Sequence, residues 1–452
     1  MNFAHNIYYF MIFKILYWRK IRELQNHFGS KAPYSVVKNS NVEEIKKFGK
    51  PYKIWMVIRH GTRFPSLGQV RKMNSNLPVI HKKLVEHSKG SISIIERSLL
   101  TWAVKNFTEH NCGKLTRLGK NEMKNLAKRT QKRFSELLSP KYDNRLYDFR
   151  LTNTDRTLES AQEFADGLFG ENMMKGSCIK YTIDERLLRF YKLCAKWRND
   201  IRYNPSCLRE KELFQNTSTA KSTVKLFNER LGLINLLSFD EIEIIYKACI
   251  IEACNNRVSL WCTPFDKDII KVLEYSEDLK HYWLDGYGFE ITYKHACPLI
   301  KSMMEFFNSN QEYPKIVLNF THSGVLLKVL SHLQLYKDET PLRHDCLNKN
   351  RKWQTSRIGG FGSNITFVLY TIGGKYKLLT LHQERIIRLP CCPDSDLCDF
   401  DVVRKYYISS LRDCNFDEMC CPDSDLCDFD VVRKYYISSL RDCNFDEMCE
   451  NF

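Results

Sequence analysis

Five consecutive apolar residues, Ile54-Trp55-Met56-Val57-Ile58, stand out from a mixed background. The run is too short for a helix and rich in β-branched and aromatic side chains, so it predicts a buried strand. Gly61 and Pro65 break it into a loop. A second run, 315–320, reads the same way. It passes through Thr321-His322-Ser323-Gly324 into a helix predicted over 325–335. A further strand over 148–153 leads into a helix capped by Thr154 or Asp155, which carries Leu158, Ala161, Phe164, Ala165 and Leu168 toward the core. Another helix opens at Leu115-Thr116, with Leu118, Met123, Leu126, Phe134 and Leu137 on one side and lysines and arginines on the other. Closing strands are predicted at 366–372 and 377–381. Alternation of strands and amphipathic helices makes this an α/β chain. Between 170 and 300 the pattern turns helical, at 222–236, 240–254, 266–275 and 293–308. The division that follows is a basic segment 1–50, a discontinuous α/β domain over 51–170 and 310–390, a helical lobe 171–309 inserted between its parts, and a tail 391–452.

The tail changes the picture. Residues 391–419 recur without one change as 420–448. A folded repeat array diverges and needs capping units, so a recent duplication is the simpler account, with one copy needed by the fold. Each copy carries seven acids and three bases, so the chain ahead of it is more basic than the net charge of +16 suggests. The 18 cysteines are scattered without Cys-x-x-Cys pairs, which points to disulfides in an oxidising compartment rather than to zinc. The ending Cys-Asn-Phe-Asp-Glu-Met-Cys is spaced to close a small loop, although spacing does not fix the pairing. Four Asn-x-Ser/Thr sequons occur. Asn319 and Asn364 border apolar strands, which leaves Asn106 and Asn216 as glycosylation candidates. Residues 7–13 are apolar but too short to span a bilayer, and they lack the flanks of a signal peptide. They are read as a weak membrane anchor or the remnant of a longer leader.

Candidate chemistry gathers after the first strand, in Arg59-His60-Gly61-Thr62-Arg63-Phe64-Pro65. Open α/β sheets place their ligands at the carboxyl ends of strands. An imidazole can attack phosphorus and become phosphohistidine. Guanidinium forks match the oxygens of a transferring phosphoryl group, and Gly61 lets backbone approach an anion. Arg156 starts a helix, where backbone amides already favour an anion. The basic balance admits nucleic acid as a rival ligand. However, zinc-finger spacing, basic-region heptads and aromatic RNP-like strings are all missing, and a small polyanion accounts for the charge equally well.

The R-H-G-x-R-x-P string resembles the signature of the histidine phosphatase superfamily, in its histidine acid phosphatase branch. Leu115–Met123 and Thr154–Ala161 resemble further strings of that branch. Phe28–Tyr34, Asp184–Cys194, Trp261–Phe265 and Tyr282–Gly288 resemble segments of one subfamily, the multiple inositol polyphosphate phosphatases. The resemblance implies a phosphoglycerate-mutase-like α/β sandwich with a mostly helical lobe, no cofactor and no metal. It implies His60 as nucleophile, with Arg59, Arg63, Arg156 and His322 around the phosphate. It implies phosphomonoesterase action on inositol polyphosphates, with 2,3-bisphosphoglycerate as a further substrate, in the secretory pathway. One role has no residue. The subfamily places a proton-donating glutamate two residues after the second histidine, and here that position is Gly324. The next carboxylate, Asp338, lies about 24 Å on along a continuous helix. The pair His344-Asp345 imitates the branch motif but sits in a polar loop. The expectation is therefore weak turnover of alkyl phosphates. The alternative is an inactive pseudophosphatase that binds phosphorylated ligands. Oligomeric state is left open.

Overall fold

The computed structural model describes residues 15–88, 99, 107–170, 179–255, 257–412 and 414–420. The apolar run at 7–13, the Asn106 sequon and all but the first residue of the second tail copy lie outside them.

The first predicted strand is β1 (Pro51–Arg59), and it lies inside an eight-stranded mixed sheet. Its parallel neighbour is β4 (Ile316–Thr321), followed outward by β2 (Tyr147–Leu151) and β3 (Tyr181–Ile183). On its other side β5 (Asn364–Ile372) pairs antiparallel, followed by β6 (Lys375–His382), which carries both β7 (Arg385–Ile387) and β8 (Leu397–Asp399). Every residue from Ile54 to Ile58 is buried, which is why this strand reads as a continuous apolar run and not as an alternating one. Trp55 and Val57 face one core, and Ile54, Met56 and Ile58 face the other.

The second core is roofed by α2 (Arg117–Arg133) and α3 (Asp155–Phe169), through Met123, Leu126, Phe164 and Ala165. The first takes α8 (Ser323–His332) and the helices that intervene between β3 and β4. The longest of these are α4 (Ser218–Arg230), α5 (Phe239–Cys254), α6 (Lys267–Asp285) and α7 (Cys297–Asn308). Helix α1 (Leu67–His87) follows the signature loop. The result is a helix–sheet–helix sandwich, as expected for the α/β class.

Some predicted elements shift. The helix expected over 293–308 is broken into Glu290–Lys294 and α7, and Pro298 in the first turn of α7 explains the break. The helix expected over 266–275 runs on to Asp285, because Leu279, Tyr282 and Leu284 continue its apolar face. Leu158, expected in the core, is 37% exposed. Asn319 and Asn364 are buried as expected, and Asn216 is exposed.

Four disulfides are formed: Cys194–Cys420, Cys249–Cys262, Cys297–Cys414 and Cys392–Cys398. Cys414 and Cys420 therefore do not close the small loop their spacing suggested. Each reaches a helix that precedes β4, and together they fasten the first tail copy, including α9 (Phe400–Arg412), to the body. Among the described residues no helix is long and apolar enough to cross a membrane.

Candidate active site

Strand register brings the two histidines together. Arg59 of β1 pairs with Thr321 of β4, so the next residue of each strand is a histidine. The His60 amide donates to the Thr321 carbonyl at 2.9 Å, and the two imidazole centroids are 5.5 Å apart. Arg156, in the first turn of α3, donates to His322 Nδ1 at 3.3 Å. His322 Nε2 is then the protonated nitrogen, donating to Thr152 Oγ1 at 3.0 Å. His60 Nδ1 donates to the Gly61 carbonyl at 2.9 Å, which leaves the lone pair on Nε2 free.

Both rings are buried and surrounded by cations. Burial, then the charge of Arg59, holds His60 well below the usual imidazole range, with His322, Arg156 and Arg63 acting in the same direction. Burial and then Arg156 do the same to His322. His60 thus remains a neutral imidazole at acid pH, where an ordinary histidine is protonated. The guanidiniums are themselves crowded. Burial, with Arg63 next, pushes Arg59 down to about 9, and burial with Arg156 pushes Arg63 to about 10. Arg59 donates to the carbonyls of Ser30 and Gly359 and stacks on Phe361 at 4.5 Å. The Nε atoms of Arg59, Arg63 and Arg156 are all buried without an acceptor. Several buried donors short of acceptors, carried on like charges, favour an anion of several oxygens.

The loop that carries these groups is locked from below. Glu122 of α2 accepts the Thr62 and Tyr34 amides, each at 2.8 Å. Gly61 and Gly119 let the loop and α2 meet. A Cβ on Gly61 would lie 2.5 Å from the Gly119 carbonyl oxygen, and one on Gly119 only 2.0 Å from that of Thr62. Sequence reading gave Gly61 to the anion. Its closest demand is this backbone contact.

Above the loop opens a cleft of about 300 Å³. Arg59, Arg63, Lys31, Arg202 and Lys280 line it, and Glu277 is the one carboxylate in its lining among the described residues. Arg202 and Lys280 gave no sequence signal beyond the basic balance. Arg189, whose buried Nε also lacks an acceptor, was within reach, because it lies in the Asp184–Cys194 string.

Gly324 sits in the first turn of α8, directly after His322 and Ser323. A Cβ there would meet Asp285 Oδ1 at 3.2 Å and the Tyr191 ring at 3.7 Å. A carboxylate therefore does border this position, and it comes from the end of α6, not from further along α8. Asp338 is elsewhere, accepting the amides of Lys352 and Trp353. His344 is bound to Glu210.

A neutral imidazole beside guanidiniums whose Nε atoms lack acceptors, at the carboxyl ends of parallel strands, defines a phosphoryl-transfer enzyme of the histidine-nucleophile kind. The sequence matches the model of the histidine phosphatase superfamily (branch 2) over residues 53–390, and the chain belongs to that family. Multiple inositol polyphosphate phosphatase 1 of Drosophila melanogaster is 30% identical over 407 residues, covering 86% of each chain. The Homo sapiens protein of the same name is 27% identical and covers 81% of each. Among solved structures, the phytase from D. castellii superposes with a TM-score of 0.72 at 19% identity, over 88% of this chain and 87% of that one. The Bifidobacterium longum multiple inositol polyphosphate phosphatase, in complex with inositol hexasulfate, does so at 0.66 and 14%, over 83% and 96%. These structural likenesses carry the fold.

Proposed function

We propose that the protein removes phosphate from inositol polyphosphates, from the hexakisphosphate downward, through a phosphohistidine on His60. A smaller polyanion such as 2,3-bisphosphoglycerate fits the same reading. The supporting observation is the free Nε2 of a neutral His60 beside three guanidiniums with unpartnered Nε atoms. Arg59, Arg63, Arg156 and His322 hold the transferring phosphate. His60 Nε2 attacks phosphorus in line with the leaving oxygen, and water then cleaves the P–N bond. Charge develops on equatorial oxygens already faced by fixed cations, so little reorganisation is needed. The lysines and arginines around the cleft suit the remaining phosphates of a polyphosphorylated ring, and the names of the relatives agree with that class.

Gly324 makes an alkyl phosphate the demanding substrate. Its alkoxide needs a proton as the P–O bond breaks, a step that general acid catalysis speeds by roughly 10²–10⁴-fold. An aryl phosphate depends on it less. The second reading, a protein that captures phosphorylated ligands without turnover, rests on Gly324 alone. Phosphate release from inositol hexakisphosphate and from p-nitrophenyl phosphate, with His60→Ala as blank, decides between them. Turnover that vanishes in the blank supports the enzyme. Phosphohistidine without turnover supports the binding protein. Binding with neither sinks the phosphohistidine mechanism. The four disulfides support residence in an oxidising compartment of the secretory pathway, with Asn216 open to glycosylation.

A further inference from the structure

A further titratable ring lies in the same cleft as the arginines of the signature. His281, on α6, lines the cleft together with Arg59, Arg63 and Ser323, the residue beside Gly324. Its Nδ1 lies 2.8 Å from Asp285 Oδ2, one turn on along the helix. Its Nε2 lies 3.1 Å from Ser30 Oγ, and the carbonyl of Ser30 is one of the two that hold Arg59. The ring thus stands one residue away from the phosphate clamp, with a carboxylate behind it fixing the tautomer. Asp285 is also the group that borders the vacant Cβ position of Gly324.

We propose that His281, oriented by Asp285, is the general acid and base of this phosphatase, in place of a side chain at 324. The inference rests on the phosphatase reading. In the first half-reaction the P–O bond to the leaving group breaks as the His60 Nε2–P bond forms. The imidazolium of His281 gives its Nε2 proton to the leaving oxygen and becomes neutral. In the second half, water attacks phosphorus and the P–N electron pair returns to His60. His281 Nε2 takes the proton released by water and is an imidazolium again. The Nδ1 proton stays on His281 throughout, donated to the Asp285 carboxylate, which acts as a positioning residue.

Asp285 does not serve as the donor itself. Burial opposes its charge, but Lys328 and His281 together hold it far below the usual carboxylate range. His281 stands below the usual imidazole range. Burial lowers it most, with Lys280 in the same direction. The hydrogen bond and charge of Asp285 and the charge of Glu277, 3.9 Å away, offset that only in part. Around these stand Lys31, paired to Glu277, Lys328 of α8, paired to Asp285, and Arg59 and Arg63 across the cleft. A polyanion entering the cleft adds negative charge beside the ring and favours the imidazolium as the substrate binds. Since Gly324 adds no side chain beside Asp285, the Asp285–His281 pair keeps its geometry.

The test compares inositol hexakisphosphate with p-nitrophenyl phosphate in the wild type, His281→Gln and Asp285→Asn. His281→Gln is expected to lower the ratio of alkyl to aryl turnover by roughly 10²–10³-fold, the range of a lost general acid. Formation of phosphohistidine from the aryl ester reports that the nucleophilic half is still assembled. A variant that forms phosphohistidine with an unchanged ratio overturns the proposal. Asp285→Asn should move the alkaline limb of alkyl turnover to lower pH, and an unmoved limb also overturns it. Adding Gly324→Glu to His281→Gln supplies a carboxyl that Asp285 keeps protonated, and recovery of alkyl turnover supports the assignment. If the wild type forms phosphohistidine but releases no phosphate from the alkyl ester, only the proton-donor assignment fails. If it forms none, the phosphatase reading fails with it.

Discussion

Gly119 is the point where the signature loop is most easily disturbed without touching a catalytic group. A methyl group at this position would lie 2.0 Å from the Thr62 oxygen and 2.7 Å from the Thr62 nitrogen. Both are backbone atoms and cannot rotate away. To reach the 3.4 Å of ordinary contact, α2 and the loop must separate by about 1.4 Å. That movement strains the hydrogen bond from Thr62 to Glu122 and carries His60 and Arg63 with it. Forcing one methyl into a filled contact costs about 1–3 kcal/mol. Displacing reacting atoms by about 1 Å costs roughly 10²-fold in rate. Gly119→Ala should therefore lower kcat on p-nitrophenyl phosphate by roughly 10²-fold and also lower Tm. The control is Gly68→Ala, in the first turn of α1, where a Cβ meets nothing within 4 Å. The assay is initial-rate kinetics with a melting curve on both variants. A Gly119→Ala protein with wild-type kcat and Tm would refute the claim that this contact sets the loop.

Three further outcomes are expected. His60, His322 and His295 are held neutral in the fold, below the 6.5 of a free imidazole, while the unfolded chain protonates them near that value. The unfolded state then binds more protons, so unfolding free energy should fall as pH drops below about 6.5, as urea titrations at several pH values would show. Lys328 is fully buried and bonds the Asp285 carboxylate and the Leu284 carbonyl. Lys328→Met should cost about 3–5 kcal/mol by leaving that carboxylate without its cation, and Lys328→Met/Asp285→Asn should recover part of the loss. Removing the Cys297–Cys414 bridge as a double serine variant should cost about 2–5 kcal/mol in chemical denaturation, since it closes a long loop.

The elements that frame the site were legible because local pattern and tertiary role agree. β1 and β4 are continuous apolar runs because both faces of the sheet are covered, and the histidines follow them directly. Arg156 was readable from the Thr154–Ala161 string and not from its helix start alone. The expected cap there is only positional, since the Thr154 side chain makes no capping hydrogen bond. What escaped was set by long-range packing. Asp285 reaches position 324 from 39 residues earlier in the chain, so a search along α8 for the next carboxylate passed it by. His281 carries no local signature. It is one more polar position on an amphipathic helix until Ser30 and Asp285 are placed on either side of it. The cysteine pairs are settled by which helices the tail meets, and spacing in the tail itself suggested a loop that does not form. The break before α7 was visible in principle, since Pro298 favours a helix start, but the apolar period runs through it.

The place of β1 in the sheet has a consequence for synthesis. Ile58 pairs with Phe320 on one side and with Asn364 on the other, so neither neighbour of this strand is close to it in sequence. At roughly 5–20 residues per second, β4 follows β1 from the ribosome after roughly 10–50 s. Throughout that interval the apolar run Ile54–Ile58 has no partner strand, and His60 has no His322 beside it. Folding of the catalytic sheet is therefore a late event in the life of the nascent chain. Until then both edges of β1 are open to pairing with another molecule.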